Sequence, residues 1–300
     1  MTKPTFGIQA IAIQPEIAIP RINPDILIVP ILTLTSLIGM VNNAGASGVV
    51  VDEERLRAMN IDPETWLSGR ATNMVQQVIK TSYETAVECL NTNFYGVQRL
   101  TEALLPLLQL SPSGARIVNV SSLRGELWDP VLAEWLPCKK IDVYMPRISS
   151  MYIPSITTIC VYGVRLLQTA SKLKVRIRGD DLRNELGDSE TLNEQKLDSI
   201  LKRFLKDLKE NTLEAGGWSL MLPAYSISKA TLNAYTRVLA KRHPNMLINC
   251  VHPGYVNTDI NWHTGPMPVE EGARGPVKCA LLPDGGPTGC YFDQTEVASF

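Results

Sequence analysis

Arg116-Ile117-Val118-Asn119-Val120-Ser121-Ser122-Leu123-Arg124-Gly125 decides how this chain folds. Its β-branched run over Arg116–Val120 is a short buried strand, and Ser121-Ser122 falls at the carboxyl end. Upstream, residues 93–109 read as a helix. Val97, Leu100, Leu104 and Leu107 recur on one face, and Pro106 bends its end. Further upstream an apolar run leads into Val41-Asn42-Asn43-Ala44-Gly45-Ala46. Downstream, Tyr225 to Lys241 is predicted helical, with Leu232, Tyr235, Val238 and Leu239 toward a core and Pro244 past its end. Leu247–Val251 is the next strand, and Pro253-Gly254 opens the loop after it. Strand, helix, strand, helix, strand describes an alternating α/β sheet. Ligands in such sheets bind beyond the carboxyl ends of the strands, where Asn42, Ser122 and Pro253 all fall.

The 300 residues, 45% of them apolar, can bury one sizeable core, so a single domain over 1–300 is expected. A net charge of −1 gives no electrostatic case for a nucleic-acid partner. Six cysteines (Cys89, Cys138, Cys160, Cys250, Cys279, Cys290) show no C-x-x-C spacing. Without an evident secretory signal they read as reduced thiols in a cytoplasmic protein. The three histidines are scattered. Cys250 and His252 alternate along a strand, which is packing rather than a zinc site. Ile26 to Val41 and Ile148 to Val164 are uncharged, but each falls short of the roughly 20 residues needed to span a bilayer and each contains a proline. A buried parallel strand accounts for the first equally well, so a membrane anchor is not the expected use.

Between the serine motif and Tyr225 lies another helix. Thr191-x-x-Glu194 has the form of a capping box, and behind it Leu197, Leu201, Phe204 and Leu208 make one stripe to about Glu210. Gly216-Gly217 closes the segment. Tyr225 and Lys229 then stand four residues apart, on one helix face. A phenol with an ordinary pKa of about 10 needs help to exchange protons near neutrality, and a neighbouring ammonium lowers that value.

With Asn91-Thr92-Asn93-Phe94-Tyr95-Gly96 and Ile248-Asn249-Cys250-Val251-His252-Pro253-Gly254-Tyr255-Val256-Asn257-Thr258, five motifs stand in order. Over about 41–128 and 178–300 the chain resembles the short-chain dehydrogenase/reductases, most closely the plant carbonyl-reductase branch that includes menthone/neomenthol and salutaridine reductases. The resemblance implies a Rossmann-like three-layer αβα sandwich and hydride transfer between NADPH and a small apolar ketone or alcohol. It implies Tyr225 as general acid, with Lys229 lowering its pKa and holding the nicotinamide ribose. It implies Ser122 polarising the carbonyl and Asn93 holding a water that relays protons to Lys229. Asn42, Ala44 and Gly45 would line the adenosine side and brace the sheet. Pro253, Gly254, Val256 and Thr258 would hold the nicotinamide. NADP rather than NAD also rests on the resemblance, as does a monomer, because in this branch the helix before Tyr225 covers a face that other members use to oligomerise.

Two segments depart from the family. Its members begin with a T-G-x-x-x-G-x-G turn that holds the cofactor pyrophosphate, whereas residues 1–40 contain only Gly7 and Gly39. Forty-one residues precede Asn42, too few for the roughly 70 that three crossovers need. The nucleotide-binding half is therefore expected to be incomplete. Residues 129–177 shift in composition, and Leu123–Trp128 would join Arg178–Asp188 smoothly without them. The expectation is that 129–177 is a late or intron-derived insertion that packs poorly, and 1–40 a replaced or misassigned first exon. A lineage-specific lid is the alternative for 129–177. A catalytically inactive remnant is the alternative to an active reductase, with a membrane-tethered interaction protein as a third reading.

Overall fold

Six strands make one sheet in the order β1 (Ala10–Ala12), β2 (Gly39–Asn42), β5 (Arg116–Val120), β6 (Leu247–His252), β7 (Tyr291–Asp293) and β8 (Glu296–Ala298). The computed structural model describes residues 10–12, 38–67, 69–127, 177 and 179–299. From β2 to β7 the pairing is parallel, with Asn42 opposite Asn119 and Val120 opposite Val251. Successive strand residues point to opposite faces. Met40, Ile117 and Ile248 therefore enter one apolar core, while Val118, Val120 and Val251 enter another. Helices cover both, giving the expected three layers.

The larger core is covered by the helical run α4 (Tyr83–Leu90) to α5 (Val97–Leu108), by α7 (Glu194–Lys209) and by α8 (Pro223–Arg242). The first of these begins ten residues before the expected 93. Ser82 caps it, its hydroxyl accepting from the Thr85 amide at 3.2 Å while the Thr85 hydroxyl accepts from the Ser82 amide at 3.0 Å. Asn91–Gly96 joins its two halves as a π-helical turn. The expected Thr191/Glu194 box is also corrected. Asn193 is the cap of α7, accepting from the Lys196 amide at 2.9 Å, and the Thr191 hydroxyl bonds Asp188 instead. The stripe itself holds: Leu197, Leu201 and Phe204 are fully buried. The smaller core lies under α10 (Arg274–Ala280), which contributes Cys279.

A satellite unit rises beside the sheet. It comprises β3 (Val50–Val51), α1 (Glu53–Ala58), α2 (Pro63–Leu67), α3 (Thr72–Val75) and β4 (Ile79–Lys80). Leu56, Trp66, Val75 and Val78 pack with Met221 and Leu222, just ahead of Tyr225.

β1 lies against the outer edge of β2 in the antiparallel sense, Ala10 opposite Asn42. No glycine turn precedes β2 in the sequence, and among the described residues β1 is the strand that lies on this side of β2. The uncharged stretches 26–37 and 148–164 lie outside the described residues, and so does 129–177 apart from Ile177, which is buried in the larger core. No described helix is long and apolar enough to cross a membrane.

Candidate active site

Pro223 supplies the first turn of α8, where its missing amide N–H costs nothing. Tyr225, Lys229 and Asn233 then stack on one face of the helix, toward the end of β5. The Lys229 ammonium donates to the Val120 carbonyl at 2.8 Å and stands 5.6 Å from the centre of the Tyr225 ring. Ser122 follows two residues later. Its hydroxyl accepts from the Arg124 amide at 3.1 Å and lies within hydrogen-bonding reach of the Tyr225 phenol. Ser122, Tyr225 and Lys229 are thus brought together across 103 positions of sequence.

Asn93 sits in the π-helical turn, a helical irregularity that recurs at functional sites. Its Oδ1 accepts from the Ala46 amide at 2.7 Å, and its Nδ2 donates to the Ala46 carbonyl at 3.0 Å and to Ser228 Oγ at 2.9 Å. The Ser228 hydroxyl in turn donates to the Tyr225 carbonyl at 2.8 Å. Asn93 therefore clamps the loop after β2 to the first turns of α8. Cys89, which had no role in the sequence reading, joins the cluster by donating from Sγ to the Ala46 carbonyl at 3.2 Å.

Asn42 braces the sheet: its Nδ2 donates to Asn119 Oδ1 at 2.8 Å, and Asn119 donates to the Thr236 hydroxyl at 2.9 Å. Ala44 and Gly45 follow in the loop, where a Cβ on Gly45 would stand 3.0 Å from Ile260 Cδ1. On the other side, Pro253 and Gly254 leave β6. Gly254 has φ +97°, and a Cβ there would meet the Met267 thioether at 2.6 Å. Val256 packs its side chain against Gly272 and bridges Met267. Thr258 caps the short turn Asp259–Asn261. Both loops stand at the carboxyl edge of the sheet, flanking Ser122 and Tyr225.

Burial and charge act on both members of the Tyr225/Lys229 pair. Burial pushes the Tyr225 phenol up to about 12, with the Ser122 hydrogen bond and the Arg124 guanidinium pulling it down. Burial brings Lys229 itself down to about 8.

No family model matches the chain. It is 42% identical to short-chain dehydrogenase/reductase 1 of Saponaria officinalis over 261 residues, 87% of this chain and 68% of that protein. It is 37% identical to (+)-neomenthol dehydrogenase of Arabidopsis thaliana over 262 residues, 87% of this chain and 70% of the relative. The chain belongs to the short-chain dehydrogenase/reductase family of oxidoreductases. Among solved structures, salutaridine reductase from Papaver somniferum superposes on this dehydrogenase/reductase with a TM-score of 0.65 at 35% identity, covering 87% of this chain and 74% of the other.

Members of the family use nicotinamide cofactors, and the residues here fit that group unevenly. Lys229 is buried and spends one of its three N–H donors on Val120, so donors remain for ribose hydroxyls. The pyrophosphate side does not fit in the same way. It has no glycine turn, and β1 occupies the strand edge beside Asn42.

Three polar residues of this dehydrogenase/reductase were missed in the sequence: Asn119, Asn233 and Arg124. Asn233 carried a signal, since it continues the four-residue step from Tyr225 and Lys229. Asn119 alternates with inward valines on a buried strand, where an amide needs a partner. Arg124 is buried beside Ser122 and donates to the Trp66 carbonyl at 2.6 Å, a link to the satellite unit that no local pattern announces.

Proposed function

We propose that this chain is a carbonyl reductase, or alcohol dehydrogenase in reverse, acting with NADP(H) on a small, mostly apolar ketone of monoterpenoid or alkaloid type. The observation that carries the reading is the convergence of Ser122, Tyr225 and Lys229 at one sheet edge. Relatives named for neomenthol and salutaridine support the substrate class.

In this reading Ser122 donates a hydrogen bond to the substrate carbonyl oxygen and polarises it. Tyr225 gives its phenolic proton to the same oxygen as the alcohol forms, and Lys229 stabilises the phenolate left behind. Asn93 keeps the Ala46 loop and α8 in register, and a water beside it is the proposed route for returning the proton toward Lys229. Lys229 also binds the nicotinamide ribose, with Pro253, Gly254, Val256 and Thr258 on the nicotinamide side and Asn42, Ala44 and Gly45 on the adenosine side. Bound there, the nicotinamide would supply the hydride. Trp66, Tyr255 and Trp262 give the adjoining wall an aromatic character suited to an apolar body.

The proposal includes a single catalytic domain over 1–300, with 129–177 as an excursion from it and 1–40 as an atypical start. It also includes a cytoplasmic monomer, supported by α7 lying across α4 and α8 and by the Tyr95 hydroxyl donating to Asp198 at 2.8 Å.

The test is NADPH consumption with a panel of cyclic monoterpenoid and alkaloid ketones, with product alcohol identified by mass. Consumption without alcohol, or none at NADPH far above cellular levels, rejects it. A second reading, a catalytically inactive relative, is favoured by the absent glycine turn and by the antiparallel β1 beside Asn42. That reading requires a folded chain with no turnover.

A further inference from the structure

Asn233 lies one helical step beyond Lys229 on the same face of α8 and is buried. Both halves of its amide are used, and both on residues that bracket Ser122. Its Oδ1 accepts from Ser121 Oγ at 2.5 Å, and its Nδ2 donates to the Gly125 carbonyl at 3.1 Å. Lys229 holds a third point, the Val120 carbonyl. The backbone of Gly125 also rests directly on α8, where a Cβ would stand 2.6 Å from the Lys229 carbonyl carbon. Every near neighbour of Ser122 with a tie to α8 is thus held by the helix that carries Tyr225.

The serine itself is held differently. Its hydroxyl accepts from the Arg124 amide and otherwise reaches the helix only at the Tyr225 phenol, the group it is placed against. Its position relative to Tyr225 follows from where Ser121 and Gly125 are pinned.

We propose that Asn233 is a positioning residue for carbonyl reduction: by fixing Ser121 and Gly125 to α8, it sets the placement of the Ser122 hydroxyl against the Tyr225 phenol. The consequence for turnover rests on the reductase reading above, while the pinning of the turn does not. Misplacing a group that must meet a developing charge costs rate even when the fold survives.

The experiment uses the full chain and two readouts. In Asn233→Ala, amide hydrogen exchange at Arg124, Gly125 and Glu126, all hydrogen-bonded within this turn, should quicken about tenfold while β5 amides stay unchanged. In turnover, kcat should fall about tenfold or more with KM within about twofold. The same substitution made on Ser122→Ala should change kcat less than about twofold, because the residue acts through that serine. Asn233→Asp, which keeps the acceptor for Ser121 and loses the donor to Gly125, is read the same way if Asn233→Ala fails to fold. Unchanged exchange at the turn overturns the proposal, and so do losses that add fully in the Ser122→Ala background, which mark a general packing role. If the unmodified chain shows no turnover, the reductase reading fails and hydrogen exchange alone decides whether Asn233 pins the turn.

Discussion

Gly125 and Lys229 meet backbone to backbone, so closely that a Cβ on the glycine would stand 2.6 Å from the lysine carbonyl carbon and 2.8 Å from its oxygen. The glycine that ends the serine motif is therefore a spacer. It lets the Ser122 turn lie flat on the helix that carries Tyr225. Gly125→Ala should push the turn off α8, with a stability loss of about 1–3 kcal/mol from overpacking. Turnover should fall further than stability alone explains. Urea unfolding and kcat on the same preparation check it.

Tyr225→Phe removes the proposed proton donor and little else, since the ring and its contact with the Lys229 ammonium remain. Loss of general acid catalysis is worth about 10²–10⁴-fold in rate. The variant should unfold at the same urea concentration as the parent while reduction falls by that factor. Retained turnover would remove Tyr225 from the chemistry.

Lys229 carries a cost at neutral pH. Its folded pKa of about 8 lies below the ordinary 10.5, so between these values the unfolded chain binds more protons and stability rises with pH. Below pH 8 the buried ammonium destabilises the fold by up to roughly 3 kcal/mol, at 1.36 kcal/mol per pH unit. The lost hydrogen bond to Val120 offsets about 1–2 kcal/mol of the gain from removing it. Lys229→Met should therefore raise the thermal midpoint at pH 7 and lose that advantage by about pH 10, while abolishing reduction. Midpoints measured at both pH values decide the sign.

Asn93→Ala tests bracing against relay. It deletes two bonds to Ala46 and one to Ser228, all buried, for an expected loss of about 2–4 kcal/mol. A loss below about 0.5 kcal/mol accompanied by failed turnover would assign the residue to proton relay alone.

Cofactor affinity should be low in these 300 residues. The glycine turn would contribute several charge-assisted amide–phosphate bonds at roughly 1.5–3 kcal/mol each. Losing two or three weakens binding by about 10³-fold or more. Fluorescence titration should give a millimolar Kd for NADPH, and fusing a family-type N-terminal half while deleting 129–177 should tighten it. Micromolar binding by the unmodified chain would show that other residues hold the phosphates.

The layered α/β order, the strand at Arg116–Val120 and the Tyr225/Lys229 face were legible in the sequence because each rests on a local period, two residues for a strand and 3.6 for a helix. The five motifs gave the family for the same reason, as short runs of fixed spacing. Only the tertiary structure decided where Lys229 sends its ammonium, that Asn93 clamps Ala46 from within a continuous helix, and that Asn233 holds both sides of Ser122. It alone showed β1 antiparallel beside Asn42. The surroundings of the Tyr225 phenol are likewise set by the packed chain: burial raises its pKa while Ser122 and Arg124, about a hundred residues away in sequence, lower it. Hydrogen-bond partners and desolvation belong to the packed chain, and residues far apart in sequence settle them together.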